Sequence, residues 1–208
     1  MQFRIFEKTF SKHLPFSTDQ IRLFDQNFAL QQLYMREKKG RIIHLSRKWR
    51  AFKDISKVDG YQMVVSNMLY EPSYLSLEWA LRFYNLIPEW VFTLTACSSK
   101  KTQTFTNELW TFTYNSLSPR LFFWYNLVSR GKYKSLRVAS PEKTLCDYLY
   151  FHPEITDEID FEEMRLNVLI WSEIGNKEIL TKYAQHYPQR VQKSVSNFLS
   201  FTATSCSI

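Results

Sequence analysis

Glycine is scarce in this chain: it occurs four times in 208 residues, as Gly40, Gly60, Gly131 and Gly175. That leaves no glycine-rich loop to cradle a phosphate, no dinucleotide fingerprint and no Gly-x-Ser-x-Gly nucleophile elbow. Cysteine is also sparse. Cys97, Cys146 and Cys206 are odd in number, form no Cys-x-x-Cys pair and have no histidine nearby at metal-ligand spacing. This pattern speaks for a reducing compartment, and against a disulfide framework or a zinc site. His13, His44, His152 and His186 are as widely dispersed. No run of about eighteen apolar residues offers a membrane span, and the charged opening Met1-Gln2-Phe3-Arg4-Ile5-Phe6-Glu7-Lys8 does not read as a signal peptide. The sequence therefore predicts a cytoplasmic protein that is no enzyme, with no catalytic residue, metal or cofactor and no membrane partner.

Apolar residues make up 45% of the chain, enough to build a true core in one large or two small domains. The aromatic share of 17% is high, as in domains whose ring-rich surfaces meet partners. The net charge of +7 is more telling by its placement. Residues 1–60 hold 13 Lys and Arg against 6 Asp and Glu, while residues 61–208 hold 14 of each. Within the first segment, nine basic residues and two acidic ones lie between Arg36 and Lys57. A focused basic patch beside a neutral domain is the electrostatic footprint of polyanion binding, although a merely solvated basic face has the same composition.

Local patterns place this charge. Phe3 to His13 reads as a short amphipathic helix stopped before Leu14-Pro15. Ser17 and Gln20 form a capping box, with Phe16 and Ile21 as its hydrophobic staple, so a second helix starts there. A third helix is expected over Asn27 to Lys39, ended by Gly40. Arg41 to Ser46 and Trp49 to Phe52 follow as two short strands around a basic tip, Arg47-Lys48. Three helices and then a hairpin is the winged-helix order, in which the third helix enters the major groove and the wing follows the backbone. Gln26, Asn27, Gln31, Gln32 and Arg36 are then the candidates to meet base edges, and Lys38, Lys39, Arg47, Lys48 and Arg50 to meet phosphates. A winged helix used only for protein contacts is the alternative.

Residues 55–60 read as a linker. Beyond it, helices are expected over Tyr61 to Tyr70 and from Pro72 to Tyr84, the latter capped by Ser76 or Ser73. Strands are expected over Val91 to Thr95, Gln103 to Phe105, Trp110 to Asn115 and Arg137 to Ala139. Ser140-Pro141-Glu142-Lys143 opens a helix with proline in its first turn. Phe161 to about Phe201 is helical, and Thr202 to Ile208 should fray. The fold class is α+β: an N-terminal winged helix-turn-helix over residues 1–58, then a mixed domain over 61–208 with a small sheet flanked by helices. Two other patterns carry chemistry weakly. Glu37-x-Lys39 with Asp25 loosely matches metal-dependent nucleases, but also plain helix surface. Six carboxylates between Glu154 and Glu163 suit a solvated helix start, or a docking site for a basic partner.

Glu71-Pro72-Ser73-Tyr74-Leu75-Ser76-Leu77-Glu78-Trp79-Ala80-Leu81, followed by Tyr84-Asn85-Leu86-Ile87-Pro88-Glu89, Thr93-Leu94-Thr95 and Lys100-Lys101-Thr102, resembles the core signature of the AbiE-type antitoxins of type IV toxin-antitoxin systems. Ala139-Ser140-Pro141-Glu142-Lys143-Thr144-Leu145-Cys146-Asp147-Tyr148-Leu149-Tyr150 resembles that family's second signature. The likeness extends over nearly the whole chain, because the family also begins with a winged helix ending in Lys-Lys-Gly and a wing. The wing departs from the family pattern: it reads Lys48-Trp49-Arg50 where relatives often carry a Gly-Tyr pair. What the resemblance implies is a transcriptional autorepressor bound to double-stranded operator DNA, and an antitoxin against a nucleotidyltransferase-like toxin encoded nearby, in abortive phage infection. The competing expectation is an interaction module or adaptor whose winged helix does not read DNA. The Pro-Ser-Tyr and Ser-Pro-Glu-Lys segments read as structural helix starts packed on the sheet.

Overall fold

A computed structural model describes residues 3–10 and 14–205. Its first unit contains α1 (Phe3–Phe10), β1 (Phe16–Ser17), α2 (Thr18–Phe24), α3 (Gln31–Lys38), β2 (Ile42–His44) and β3 (Trp49–Phe52), with the strands in a three-stranded antiparallel sheet of order β1-β3-β2. The capping box forms as expected. Ser17 Oγ accepts from the Gln20 N–H at 3.1 Å, and Gln20 Oε1 accepts from the Ser17 N–H at 2.8 Å, so two donors of the opening turn are satisfied. Phe6, Phe10, Phe16 and Phe52 pack their rings over one another between α1 and the sheet.

A single 3-10 turn (Lys53–Lys57) leads out of β3, and the chain then turns sharply at Gly60, which has φ +81°. A Cβ at Gly60 would lie 2.9 Å from the Arg130 carbonyl, so both the backbone angle and the close approach call for glycine. This junction is built into the fold and is no loose linker.

The larger unit contains α4 (Tyr61–Leu69), β4 (Ser73–Leu75), α5 (Leu77–Phe83), β5 (Thr93–Ser98), β6 (Gln103–Thr106), β7 (Thr111–Ser116), β8 (Tyr125–Arg130), β9 (Tyr133–Ala139), α6 (Pro141–Phe151), α7 (Glu158–Glu163), α8 (Val168–Ile174), α9 (Lys177–Ala184) and α10 (Gln189–Ser205). Its six strands pair in the order β6-β7-β5-β4-β9-β8, parallel between β5 and β7 and between β4 and β9 and antiparallel elsewhere. The architecture is thus α+β, with sheets flanked by helices. Successive residues of the inner strands alternate between two apolar clusters. Leu75, Ala96 and Val138 join the cluster that holds α4 and the first unit; Tyr74, Cys97 and Ala139 join the one that holds α6 and the C-terminal helices.

Several segments differ from the sequence expectation. Ser73 to Leu75, read as a helix start, is a central strand, and α5 begins only after Ser76. Tyr125 to Arg130, for which no element is expected, is the edge strand β8. The C-terminal helix also runs on through Ser205, while residues 206–208, with Cys206, lie outside the described residues, as do residues 11–13 of the expected first helix. Ser140 caps α6 through the Lys143 N–H at 3.2 Å, with Pro141 in its first turn. In the acidic run, Asp157 and Asp160 form a capping box on α7, and backbone N–H groups of Thr156 and Asp157 hold the Asp160 carboxyl below its usual range.

The two segments that resemble the family's signatures meet in the core. Asp147 Oδ2 accepts from the hydroxyls of Tyr74 and Ser76, both at 2.9 Å, and Asp147 Oδ1 pairs with Lys143 Nζ at 2.5 Å and accepts from Tyr187 at 2.6 Å. Lys143 also contacts the Tyr187 hydroxyl, and its ammonium stands 5.5 Å from the Tyr74 ring and 5.3 Å from that of Phe123. Lys143 and Asp147 are wholly buried, so the pair is held by its neighbours out of reach of solvent.

Candidate nucleic-acid interface

α3 is shorter than expected and starts at Gln31, after Leu30, which supplies no side-chain cap. Gln26 and Asn27 therefore sit in the exposed turn after α2, where the Asn27 N–H donates to Asp25 Oδ1 at 3.2 Å. Leu33 and Arg36 form the inward face of the helix. The outward face, at i, i+3, i+4 and i+7, consists of Gln31, Tyr34, Met35 and Lys38, all exposed, and Lys39 follows at the helix end. Lys38 Nζ lies 5.1 Å from the Tyr34 ring.

Three assignments made from sequence need correction. Arg36, expected to meet a base edge, is 7% exposed. Its guanidinium lies over the Phe6 ring at 4.1 Å and donates to Gln32 Oε1 at 3.2 Å, so Gln32 is engaged as well. Burial and the nearby Arg41 charge lower the pKa of Arg36, yet the group stays cationic because an arginine starts so high. Arg50, expected to meet a phosphate, instead ties β3 to α3: its Nε donates to Glu37 Oε1 at 3.1 Å and its side chain is only 14% exposed. That pairing engages the Glu37 carboxylate named in the loose nuclease pattern.

The turn between β2 and β3 spans Leu45 to Lys48. The N–H groups of Leu45 and Ser46 both donate to the Trp49 carbonyl, at 3.0 and 3.2 Å, and Ser46 Oγ accepts from the Trp49 N–H at 3.3 Å. A serine hydroxyl thus closes the turn without glycine. Arg47 and Lys48 are exposed on it, and Lys48 pairs with Asp19 of α2 at 3.3 Å. An exposed pair of this kind is worth no more than about 1 kcal/mol, so a phosphate can displace Asp19 at little cost.

Of the ten candidate residues, Gln31, Lys38, Lys39, Arg47 and Lys48 are exposed along α3 and the β2–β3 turn, Gln26 and Asn27 are exposed in the turn before α3, Arg36 is buried, and Gln32 and Arg50 are half-buried and engaged with Arg36 and Glu37. Tyr34 and Met35 were not among the candidates, although the sequence pattern already sets Met35 on the same side as Gln31 and Lys38. Their signal was helical phase: once Leu33 is placed inward, the positions on either side of it define the outer face.

An apolar surface borders the same module. Leu23 is 84% and Phe24 71% exposed at the end of α2, with Leu30 beside the start of α3. Among the described residues, no group of three His, Cys, Asp or Glu could hold a metal ion, and no helix is long and apolar enough to cross a membrane. Set against protein-family models and against curated proteins, the chain matches none.

Proposed function

We propose that the first unit is a winged-helix module that binds double-stranded operator DNA, and that the chain is a transcriptional autorepressor and the antitoxin of a toxin-antitoxin pair. The observation that carries the DNA reading is the outward face of α3. Glutamine, tyrosine, methionine and lysine stand there in helical phase, beside a wing that presents Arg47 and Lys48. Glutamine can pair with adenine, apolar side chains can touch thymine methyl groups, and the lysines and wing arginine suit phosphates. The antitoxin half of the proposal rests on the two signature segments quoted from the sequence.

The test is a titration of the full chain on duplex DNA from its own upstream region over a range of salt. Affinity should fall steeply, with a log–log slope of about −0.9 for each phosphate neutralised. K38E/R47E/K48E should weaken binding to all duplexes alike, whereas Q31A should relax sequence preference. Absent or salt-insensitive binding refutes the reading. The antitoxin half is tested separately: the neighbouring gene expressed alone should arrest growth, and co-expression of this chain should relieve the arrest.

A second reading has its own support in the exposed Leu23, Phe24 and Leu30, which suit a protein partner better than a polyanion. It predicts that L23E/F24E abolishes the partner function while the triple charge reversal leaves it intact.

A further inference from the structure

We infer that the cleft between the Leu14 segment, α4 and β9 is a binding site for a small organic anion with an apolar body. This assignment is independent of the DNA reading. The cleft encloses about 610 Å³, within the roughly 300–1,000 Å³ usual for small-molecule sites. Leu14, Val64, Met68 and Leu136 give it apolar walls, so a hydrocarbon or aryl body would be stripped of water there.

Its polar lining is of one sign. Lys132, Lys134 and Arg137 stand on it, and among the described residues that line it none is a carboxylate. Arg137 is partly committed, since its Nη2 donates to Glu71 Oε1 at 2.8 Å, but its Nε is buried with no hydrogen-bond partner. The hydroxyl of Tyr133, a second lining residue, is also buried and without a partner. Neither atom has accessible surface, so both lie behind the lining, and it is the exposed Lys132 and Lys134 ammoniums that would draw an anion to the mouth of the cleft. The wall is also fixed in advance: the Asn67 side chain accepts from the Arg137 N–H at 2.6 Å and donates to the Arg137 carbonyl at 3.3 Å, locking α4 to β9. A preformed site loses less entropy on binding.

Position adds to chemistry. Leu14 belongs to the segment joining α1 to β1, whereas the other walls come from the larger unit, so an occupant touches both.

The full chain would be titrated with anilinonaphthalene sulfonate, an amphipathic anion, and followed by fluorescence and by backbone amide NMR shifts. Saturable one-to-one binding is expected, with shifts concentrated at residues 64–68 and 132–137. K132E/K134E changes two exposed residues and so leaves the melting temperature unchanged, but should weaken the probe on the order of tenfold. Displacement by decanoate alone assigns an acyl ligand, and by naphthoate alone an aryl one. Displacement by neither overturns the proposal, as does displacement by inorganic phosphate alone. So does binding that ignores the charge reversal, or that is lost instead in W90A/F92A, which strips the exposed aromatic groove elsewhere on the molecule.

Discussion

Lys143 and Asp147 lie one helical turn apart with no solvent on either, and a buried ion pair earns its place only when the remaining hydrogen-bonding capacity is met. Here Tyr74, Ser76 and Tyr187 supply it, and burial together with the Asp147 charge pushes both tyrosine hydroxyls far above their ordinary range, so they stay protonated donors. K143M leaves a buried carboxylate without its cation and should cost about 3–5 kcal/mol. The double variant K143M/D147L should cost clearly less than the sum of the two single changes in urea unfolding. Additivity within about 0.5 kcal/mol would mean that the two residues act apart. From sequence, Ser73-Tyr74 and Glu142-Lys143 both read as structural helix starts; Lys143 does lie in the first turn of α6, whereas Tyr74 lies in β4. That they share one polar centre was not legible, because the chain separates them by some seventy residues. Arg36 failed for the same reason. A basic residue on a helix reads as solvated until Phe6, thirty positions earlier, is known to lie beneath it.

Among the elements, capping chemistry carried the most information. Ser17 with Gln20, and Ser140 with Pro141, start helices where the side chains say they should, because the donor and acceptor lie within one turn of each other. β4 was not legible. It has three residues, too few to display a period of two, and it forms only through partners on β5 and β9. β8 was hidden for another reason: as an exposed edge strand it carries no apolar alternation. The end of α6 holds a pH-dependent contact. His152 Nε2 lies 3.1 Å from Glu78 Oε1 of α5 and Nδ1 lies 2.9 Å from Glu154 Oε1. The Glu78 hydrogen bond raises the pKa of His152 against burial, while burial raises Glu78 and is outweighed only by the His152 bond, the His152 charge and the remaining hydrogen bonds acting together. A raised histidine stabilises fully below its unfolded pKa and loses that contribution as pH rises through the folded value; a lowered carboxylate loses its contribution as pH falls through its own. The clamp should therefore be strongest at about pH 5 to 6. The gap in melting temperature between wild type and H152Q should narrow from pH 6 to pH 8, and a constant gap would remove the ion pair from the account.

At the scale of the whole molecule, the charge boundary near residue 60 does not coincide with a boundary in the core. Phe6, Phe16 and Phe52 of the first unit belong to the same apolar cluster as Tyr61 and Val65 of α4 and Phe112 and Val138 of the larger sheet. Two ion pairs cross the junction as well, Lys53 with Glu108 at 3.4 Å and Asp59 with Arg130 at 2.9 Å, although exposed pairs of this kind add little. A unit of fewer than sixty residues buries only about 60% of the surface its unfolded chain exposes, so it leans on any neighbour that covers its remaining apolar face. Electrostatic composition and apolar patterning thus divide the chain differently. The first marks where a polyanion would meet it, the second what must fold together. Calorimetry of the full chain should accordingly give one cooperative transition whose calorimetric and van't Hoff enthalpies agree. V65A, a change in α4, should lower the midpoint reported by Trp49 in β3 and by Trp171 in the C-terminal helices by the same amount. Two transitions, or a shift confined to one tryptophan, would mean that the first unit folds on its own.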